Sequence, residues 1–188
     1  MTAAARPGRI WTVGHGTLTE ADFTAVLRQV PLDAIVDVRR YPGSRRHPQF
    51  ASAAMATWLP EHGLAYTWLP SLGGRRESVP ESPNAGLRNA QFRGYADHMA
   101  SAEFHTGVDA LLAFADGRAV AVMCAESVWW RCHRRLLADH LVLIDAVPVE
   151  HVFHDGRTAE HPPTPEARPS GDHLVYPPAQ PSLLDPSV

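Results

Sequence analysis

Lysine is absent from this sequence of 188 residues, so all 17 of its Lys-or-Arg positions are arginines. A bias in codon usage explains the missing lysines, but it does not explain where the arginines lie. Several form adjacent pairs in or beside segments of loop composition: Arg39–Arg40, Arg45–Arg46, Arg75–Arg76 and Arg134–Arg135. The net charge of -3 indicates no bulk attraction to nucleic acid. Anion binding would therefore depend on local clusters of arginine.

Cysteine is scarce, and long apolar runs are missing. Two cysteines are too few for a disulfide scaffold. No apolar run approaches the roughly 20 residues that span a bilayer, and residues 1–9 lack the apolar core of a secretory signal. These features predict a cytoplasmic protein that makes no membrane contact and keeps both thiols reduced.

Short apolar runs alternate with segments of helical periodicity along the first 160 residues. Strands are predicted at 9–13, 34–38, 64–69, 119–123 and 147–153, and helices at 19–30, 50–62, 91–100, 103–115 and 131–144. The alternation predicts a single α/β domain over residues 1–160, with a mainly parallel sheet of about five strands and helices on both faces. Residues 161–188 are rich in proline and lack periodic apolar positions, which predicts a disordered, flexible tail.

Polar and reactive side chains follow four of the predicted strands. In an open parallel sheet, ligands bind beyond the carboxyl ends of the strands, so these residues are expected to meet at one edge. The candidates for catalysis are His15, Asp37, Cys124, Glu126 and His133. The candidates for ligand binding are Arg39, Ser44, Arg45, Gly73, Gly74, Arg75, Cys132 and Arg134. Both cysteines belong to the densest part of this set, with Cys124 at the end of the fourth strand and Cys132 at the start of the next helix.

This residue set favours a phosphate-bearing ligand, either a nucleotide or nucleic acid. Arginines on several loops can bind phosphate oxygens with two parallel hydrogen bonds each. A helix start near Cys132 adds backbone N–H donors and lowers the pKa of a nearby thiol. Glu126 and His15 are the preferred pair for proton transfer in a hydrolase or transferase. Structural readings remain open: His15 as a loop histidine, Asp37 as the partner of Arg39, and Cys124 as a core residue.

Five motifs in order resemble the domain-of-unknown-function 488 family. They are TVGHG at 12–16, VDVRRYPGSR at 36–45, LGG at 72–74, FRGYA at 92–96, and MCAE at 123–126 followed by CHR at 132–134. The resemblance runs from about residue 10 to residue 157. It implies a bacterial or archaeal cytoplasmic α/β domain and adds Tyr95 to the candidate ligand-binding residues. It does not imply a particular activity or cofactor, and none is predicted.

Two other chemistries compete with this interpretation. Cys124, Glu126, Cys132 and His133 could supply ligands to a metal ion, although their spacing differs from that of a standard zinc knuckle. Adjacent Cys and His seldom point at one ion without a turn, so a site without metal is preferred. A phosphatase or rhodanese-like loop would place five residues between Cys and Arg, whereas Cys124 and Arg131 enclose six.

The C-terminal sequence supports a third hypothesis, a non-catalytic interaction module. Gln180, Ser182, Leu183 and Leu184 resemble the short peptide with which bacterial repair and replication proteins dock on the sliding clamp. Such a peptide would place the domain near DNA and link it to DNA repair. Because short motifs also arise by chance, a spacer that ends in two leucines is the competing interpretation.

Overall fold

A computed structural model of the protein describes residues 7–43 and 45–178. The helices within these ranges are α1 (Glu20–Leu27), α2 (Ser52–Glu61), α3 (Ala90–Met99), α4 (Ala102–Ala115) and α5 (Arg134–Leu143). The strands are β1 (Ile10–Gly14), β2 (Ala34–Asp37), β3 (Ala65–Trp68), β4 (Val120–Cys124), β5 (Val149–Val152), β6 (Thr158–Glu160), β7 (Arg168–Ser170) and β8 (His173–Val175). In the described part of the chain, no helix is long and apolar enough to cross a membrane.

Six strands form one sheet in the order β3-β2-β4-β1-β5-β6. The first five in this order are parallel, and β6 joins the edge as an antiparallel strand after a turn. The predicted α/β domain with a mainly parallel sheet is confirmed. The central strands β2 and β4 are apolar except for Asp37 at the end of β2, and every residue of both strands is buried. Such runs are typical of strands covered on both faces.

The connections cross the sheet in two directions. From β1 through β3 the chain moves to one edge, and from β3 through β5 it moves back to the other. Because such crossovers are right-handed, α1 and α2 cover one face, while α3, α4 and α5 cover the other. The neighbouring strands β2 and β4 therefore send their following loops to opposite faces. A crevice at their carboxyl ends is the expected result.

Helix α5 begins later than its sequence pattern predicts. A helix was expected from residue 131, but residues Trp129–Arg131 form a short 3₁₀ turn and α5 starts at Arg134. Cys132 is extended between the two elements, with φ -123° and ψ 151°. The loop between β4 and α5 is therefore longer than predicted; Cys124 ends β4 and Cys132 lies in this loop.

The polypeptide from His161 to Pro178 packs on the domain, in contrast to the disordered tail predicted for residues 161–188. Its strands β7 and β8 form an antiparallel pair, and Leu174 and Tyr176 are fully buried. The backbone N–H of Tyr176 donates to Oδ1 of Asn84 at 2.8 Å. Prolines break any periodic pattern, but the apolar residues between them still bury surface. Residues 179–188, which include the clamp-like peptide, lie outside the described residues.

Candidate functional site

A cavity of about 380 Å³ lies at the carboxyl ends of β2 and β4. Its walls come from the loops after β2, β3 and β4 and from the first turn of α3. The lining residues are Arg39, Arg40, Tyr41, Gly74, Arg75, Gln91, Phe92, Cys124, Ala125, Glu126, Arg131, Cys132 and His133. The crevice expected from the topology is therefore present, and polar groups surround it.

Four arginines dominate the charge of this cavity, and Glu126 is the single carboxylate among its lining residues. Arg39 and Arg40 follow β2, Arg75 follows β3, and Arg131 precedes α5. Nη1 of Arg40 donates to the backbone carbonyl of Arg75 at 2.9 Å, which ties two of the loops together. The lining therefore carries three more positive than negative side chains at neutral pH. Its electrostatics favour an anion.

A buried ion pair fixes the guanidinium of Arg39. Nε donates to Oδ1 of Asp37 at 2.9 Å and Nη2 donates to Oδ2 at 2.6 Å, while Nη2 also reaches the carbonyl of Phe50 at 2.6 Å. The hydroxyl of Tyr66 donates to Asp37 at 2.9 Å. Burial and then the charge of Asp37 raise the pKa of Tyr66, so the phenol keeps its proton. Asp37 is fully buried and serves as the partner of Arg39.

His15 completes this arrangement from behind the cavity. Nδ1 lies 2.9 Å from the carbonyl of Gly16, which can only accept, so Nδ1 carries the hydrogen. Burial and the neighbouring charge of Arg39 lower the pKa of His15 to about 4. The neutral ring therefore offers its Nε2 lone pair to Nη1 of Arg39, at 3.2 Å. His15 does not line the cavity, so the geometry makes it a support for Arg39 rather than a proton donor to a ligand.

The two thiols and His133 meet on one wall of the cavity. Nδ1 of His133 lies 3.6 Å from Sγ of Cys132 and 3.8 Å from Sγ of Cys124. Nε2 of His133 is buried and has no hydrogen-bond partner among the described residues. Burial raises the pKa of Cys132, but the Cys124 thiol and the charges of His133 and Arg134 outweigh it and lower that pKa. The hydrogen bond to Cys132 and burial raise the pKa of Cys124.

The two glycines of the 72–74 motif are needed because other groups approach them closely. A Cβ at Gly74 would lie 2.7 Å from Nδ1 of His133, and one at Gly73 would lie 2.7 Å from the backbone N of Arg40. Such distances are too short for real side chains, so both positions exclude a larger residue. Tyr95 supports the same segment, since its buried hydroxyl donates to the carbonyl of Leu72 at 3.0 Å.

Arg134 is buried behind the cavity and joins it to a second polar network. Its guanidinium donates to the carbonyl of Glu126 and, at 3.5 Å, to Oγ1 of Thr12. A chain of hydrogen bonds then runs from Thr12 to Nδ1 of His151 at 2.6 Å, from Nε2 of His151 to Nδ1 of His161 at 2.9 Å, and from Nε2 of His161 to Asp139 at 2.8 Å. We call this the Arg134–Asp139 chain.

The hydrogens in the Arg134–Asp139 chain have one consistent direction when both imidazoles are neutral. The carboxylate of Asp139 accepts from Nε2 of His161, so Nδ1 of His161 accepts from His151 and Nδ1 of His151 accepts from Thr12. Burial is the main cause that lowers the pKa of His151 to about 2. The side chain of Tyr176 donates to the other oxygen of Asp139 at 3.0 Å.

The structure brings together about half of the residues predicted for the site. Those that line the cavity are Arg39, Gly74, Arg75, Cys124, Glu126, Cys132 and His133. Those that do not line it are His15, Asp37, Arg45, Gly73, Tyr95 and Arg134. Arg45 is exposed, and Ser44 lies outside the described residues.

Sequence reasoning missed Arg40, Tyr41 and Arg131 as residues of the cavity wall. Arg40 and Tyr41 directly follow Arg39, and their place in the same loop was a usable signal. Arg131 was assigned to a helix, which hid its position beside Cys132. No local signal marked His151 or His161, because each depends on partners far away in the chain.

Fold and site together define an α/β domain with a cavity of arginines and thiols at the carboxyl edge of its parallel sheet. The family model described as Domain of unknown function DUF488 matches residues 20–141. The chain belongs to this family, as its motifs indicated. No curated protein and no solved structure matches the chain.

Proposed function

We propose that this cavity binds a phosphate-bearing ligand and that the protein acts on a nucleotide or nucleic acid as a hydrolase or transferase. The observation that carries the proposal is the set of four arginines on three loops around one cavity with a single carboxylate. A guanidinium binds phosphate oxygens in pairs, and each such charged hydrogen bond contributes about 1.5–3 kcal/mol. The cavity, at about 380 Å³, is within the usual range for small-molecule sites.

Aromatic side chains at the same cavity favour a nucleotide over a bare phosphate. Tyr41 lines the cavity with 63% of its surface exposed, and the guanidinium of Arg40 lies 5.5 Å from its ring. Phe92, at the start of α3, also lines the cavity and is partly exposed. Bases stack on such rings with little preference for sequence. A base could therefore rest on Tyr41 or Phe92 while arginines hold the phosphate.

The exposed carboxylate of Glu126 is the proposed general base. Glu126 lies in the loop after β4, is exposed, and lines the cavity together with the four arginines. A carboxylate so placed can take a proton from an attacking water or hydroxyl. Replacing Glu126 with Gln should therefore keep phosphate binding and abolish turnover of the substrate.

Calorimetric titration with inorganic phosphate, adenosine monophosphate and a short single-stranded oligonucleotide tests the binding step. Arg40→Ala and Arg131→Ala should each weaken binding by about 10-fold or more, because each removes a charged hydrogen bond. Arg131→Lys should also weaken it, because the planar fork is lost. Arg157→Ala is the matched control, since Arg157 is exposed and lies away from the cavity. Equal affinities for all four variants would refute the proposal.

Docking on a sliding clamp through Gln180, Ser182, Leu183 and Leu184, a link to DNA repair and a cytoplasmic location all remain proposals from the sequence. If the peptide is genuine, its two leucines should supply most of the affinity, because short extended peptides bind through a few anchors. Titration of a peptide of residues 176–188 against a bacterial clamp tests it. Leu183→Ala with Leu184→Ala should remove the heat of binding, and no heat from the natural peptide would reject the motif.

A further inference from the structure

We propose that Cys124, Cys132 and His133 bind one Zn²⁺ ion in the wall of the cavity. Their three ligand atoms all lie within 4.8 Å of one another, and all three residues line the cavity. Thiolate and imidazole are ligands that zinc prefers, and two thiolates favour it over harder ions such as Mg²⁺. The proposal stands on these positions and does not require the nature of the anion to be known.

The two separations between nitrogen and sulfur match those around a tetrahedral zinc ion. With Zn–S near 2.3 Å and Zn–N near 2.0–2.1 Å, a tetrahedral angle places nitrogen and sulfur about 3.6 Å apart. Nδ1 of His133 lies 3.6 Å from Sγ of Cys132 and 3.8 Å from Sγ of Cys124. The imidazole therefore needs little movement relative to either sulfur to bind an ion, and the two sulfurs lie within 4.8 Å of each other.

The backbone explains how two adjacent residues can share one ion. Cys132 is extended, with φ -123° and ψ 151°, whereas His133 is helical, with φ -57° and ψ -18°. The change occurs where the loop enters α5, so successive side chains point the same way rather than in opposite directions. Cys124 arrives independently, from the last residue of β4.

Gly74 keeps the proposed ligand atom of His133 accessible. Any Cβ at position 74 would lie 2.7 Å from Nδ1 and 3.0 Å from Cγ of that ring. A glycine is therefore required beside the one ring nitrogen that faces both sulfurs. The close contact between Gly74 and His133 also explains why the loop after β3, far from His133 in the sequence, belongs to the site.

The proposed ion would keep an open position toward the cavity. Among the described residues, no fourth His, Cys or carboxylate side chain joins the cluster. Three protein ligands and one open position are the pattern of zinc sites that take water or substrate. Two thiolates balance the charge of Zn²⁺, so the arginines still set the sign of the cavity. A phosphate oxygen held by Arg40 or Arg131 is the ligand expected at that position.

The experiment uses the full chain, without an affinity tag that binds metal, reduced and purified with zinc and then exchanged with Co²⁺. We expect one equivalent of zinc by elemental analysis. The cobalt form should show thiolate-to-metal charge transfer in the near ultraviolet and the intense visible bands of a tetrahedral site. Cys132→Ala and His133→Ala should each lower the affinity for the metal by about 10-fold or more, because even a change to a residue outside the ligand set lowers metal affinity by that much. His62→Ala, at an exposed histidine, should retain the full spectrum.

The proposal is wrong if the natural protein, titrated with Co²⁺, shows no thiolate-to-metal charge-transfer bands. It is also wrong if these bands persist in both Cys132→Ala and His133→Ala. A Cys124–Cys132 disulfide that forms in the presence of excess zinc would overturn it as well. If a substituted chain fails to fold, alkylation of the natural protein decides. Zinc should protect both thiols, and equal labelling with and without zinc contradicts the site. Arg131→Ala should keep the cobalt spectrum while phosphate binding weakens by about 10-fold or more, which separates this proposal from the function proposed above.

Discussion

The side chains behind the cavity are as constrained as those that line it. The guanidinium of Arg39 uses its hydrogen bonds on Asp37, Phe50 and His15, all buried. A flexible surface arginine would lose conformational entropy on gripping a ligand, whereas this one is already ordered. Arg39 therefore presents an ordered guanidinium to the cavity, with its charge offset by Asp37, while Arg40 and Arg131 provide the adjustable contacts.

Replacing Asp37 with Ala should destabilise the protein by about 3–5 kcal/mol, because it leaves the buried charge of Arg39 without its partner. Chemical denaturation followed by circular dichroism measures the change. Asp155→Ala is the control; Asp155 pairs with Arg157 at 2.7 Å, but this pair is exposed and should contribute little. Equal destabilisation by the two substitutions would show that the Asp37 pair has no special role.

At the scale of elements, the segment from His161 to Pro178 closes the α3 and α5 side of the domain. His161 and Thr164 bond to Asp139 of α5, and Tyr176 reaches both Asp139 and the loop at Asn84. These contacts combine apolar burial with a satisfied buried carboxylate. Losing them would expose the core and leave Asp139 buried without its donors.

Truncation after Glu160 should therefore lower the thermal midpoint strongly, whereas truncation after Pro178 should retain every described contact and change it little. Leu174→Ala offers a milder test, with an expected loss of about 2–5 kcal/mol for a fully buried leucine. Scanning calorimetry on the three chains compares them directly. A chain ending at Glu160 that melts at the natural temperature would contradict the packing described.

The sequence predicted elements well where a local pattern determines them. The apolar runs of β2 and β4 and the helical periodicity of α1 and α4 mark these elements through neighbouring residues alone. The sequence-based predictions were wrong or missing where residues distant in the chain determine whether a segment is ordered or a side chain is paired. Proline-rich composition predicted disorder, but Tyr176 is ordered by groups up to 92 residues away. In the same way His151 had no motif, because its partners come from β1 and from the segment beyond β6.

At the scale of the whole molecule, several histidines are held neutral inside the fold. Burial is the main cause that lowers the pKa of His15 and His140 to about 4 and that of His151 to about 2. In the unfolded chain each has a pKa near 6.5. Below about pH 6.5 the unfolded state binds more protons at these histidines than the folded state does. The fold is thus fully stable above about pH 6.5 and loses stability as the pH falls toward 4.

Unfolding free energy measured from pH 8 to pH 4.5 should be flat at first and then fall below about pH 6.5. Each histidine contributes up to about 1.4 kcal/mol per pH unit, so the slope should approach the uptake of three protons. His140→Gln should remove about one proton from that uptake. A stability that rises on acidification to pH 5 would show that these imidazoles are charged in the folded protein.

The Arg134–Asp139 chain connects the C-terminal segment to the cavity wall through a series of hydrogen bonds. Arg134 holds the loop that carries Glu126, while Asp139 anchors residues 161–178. We expect these hydrogen bonds to couple the two sites; because linkage is reciprocal, an anion that orders the Glu126 loop would then tighten the segment by the same coupling free energy. Conversely, a partner protein that peeled the segment away would weaken ligand binding without touching the cavity. Protease resistance near residue 165 thus becomes a remote reporter of occupancy.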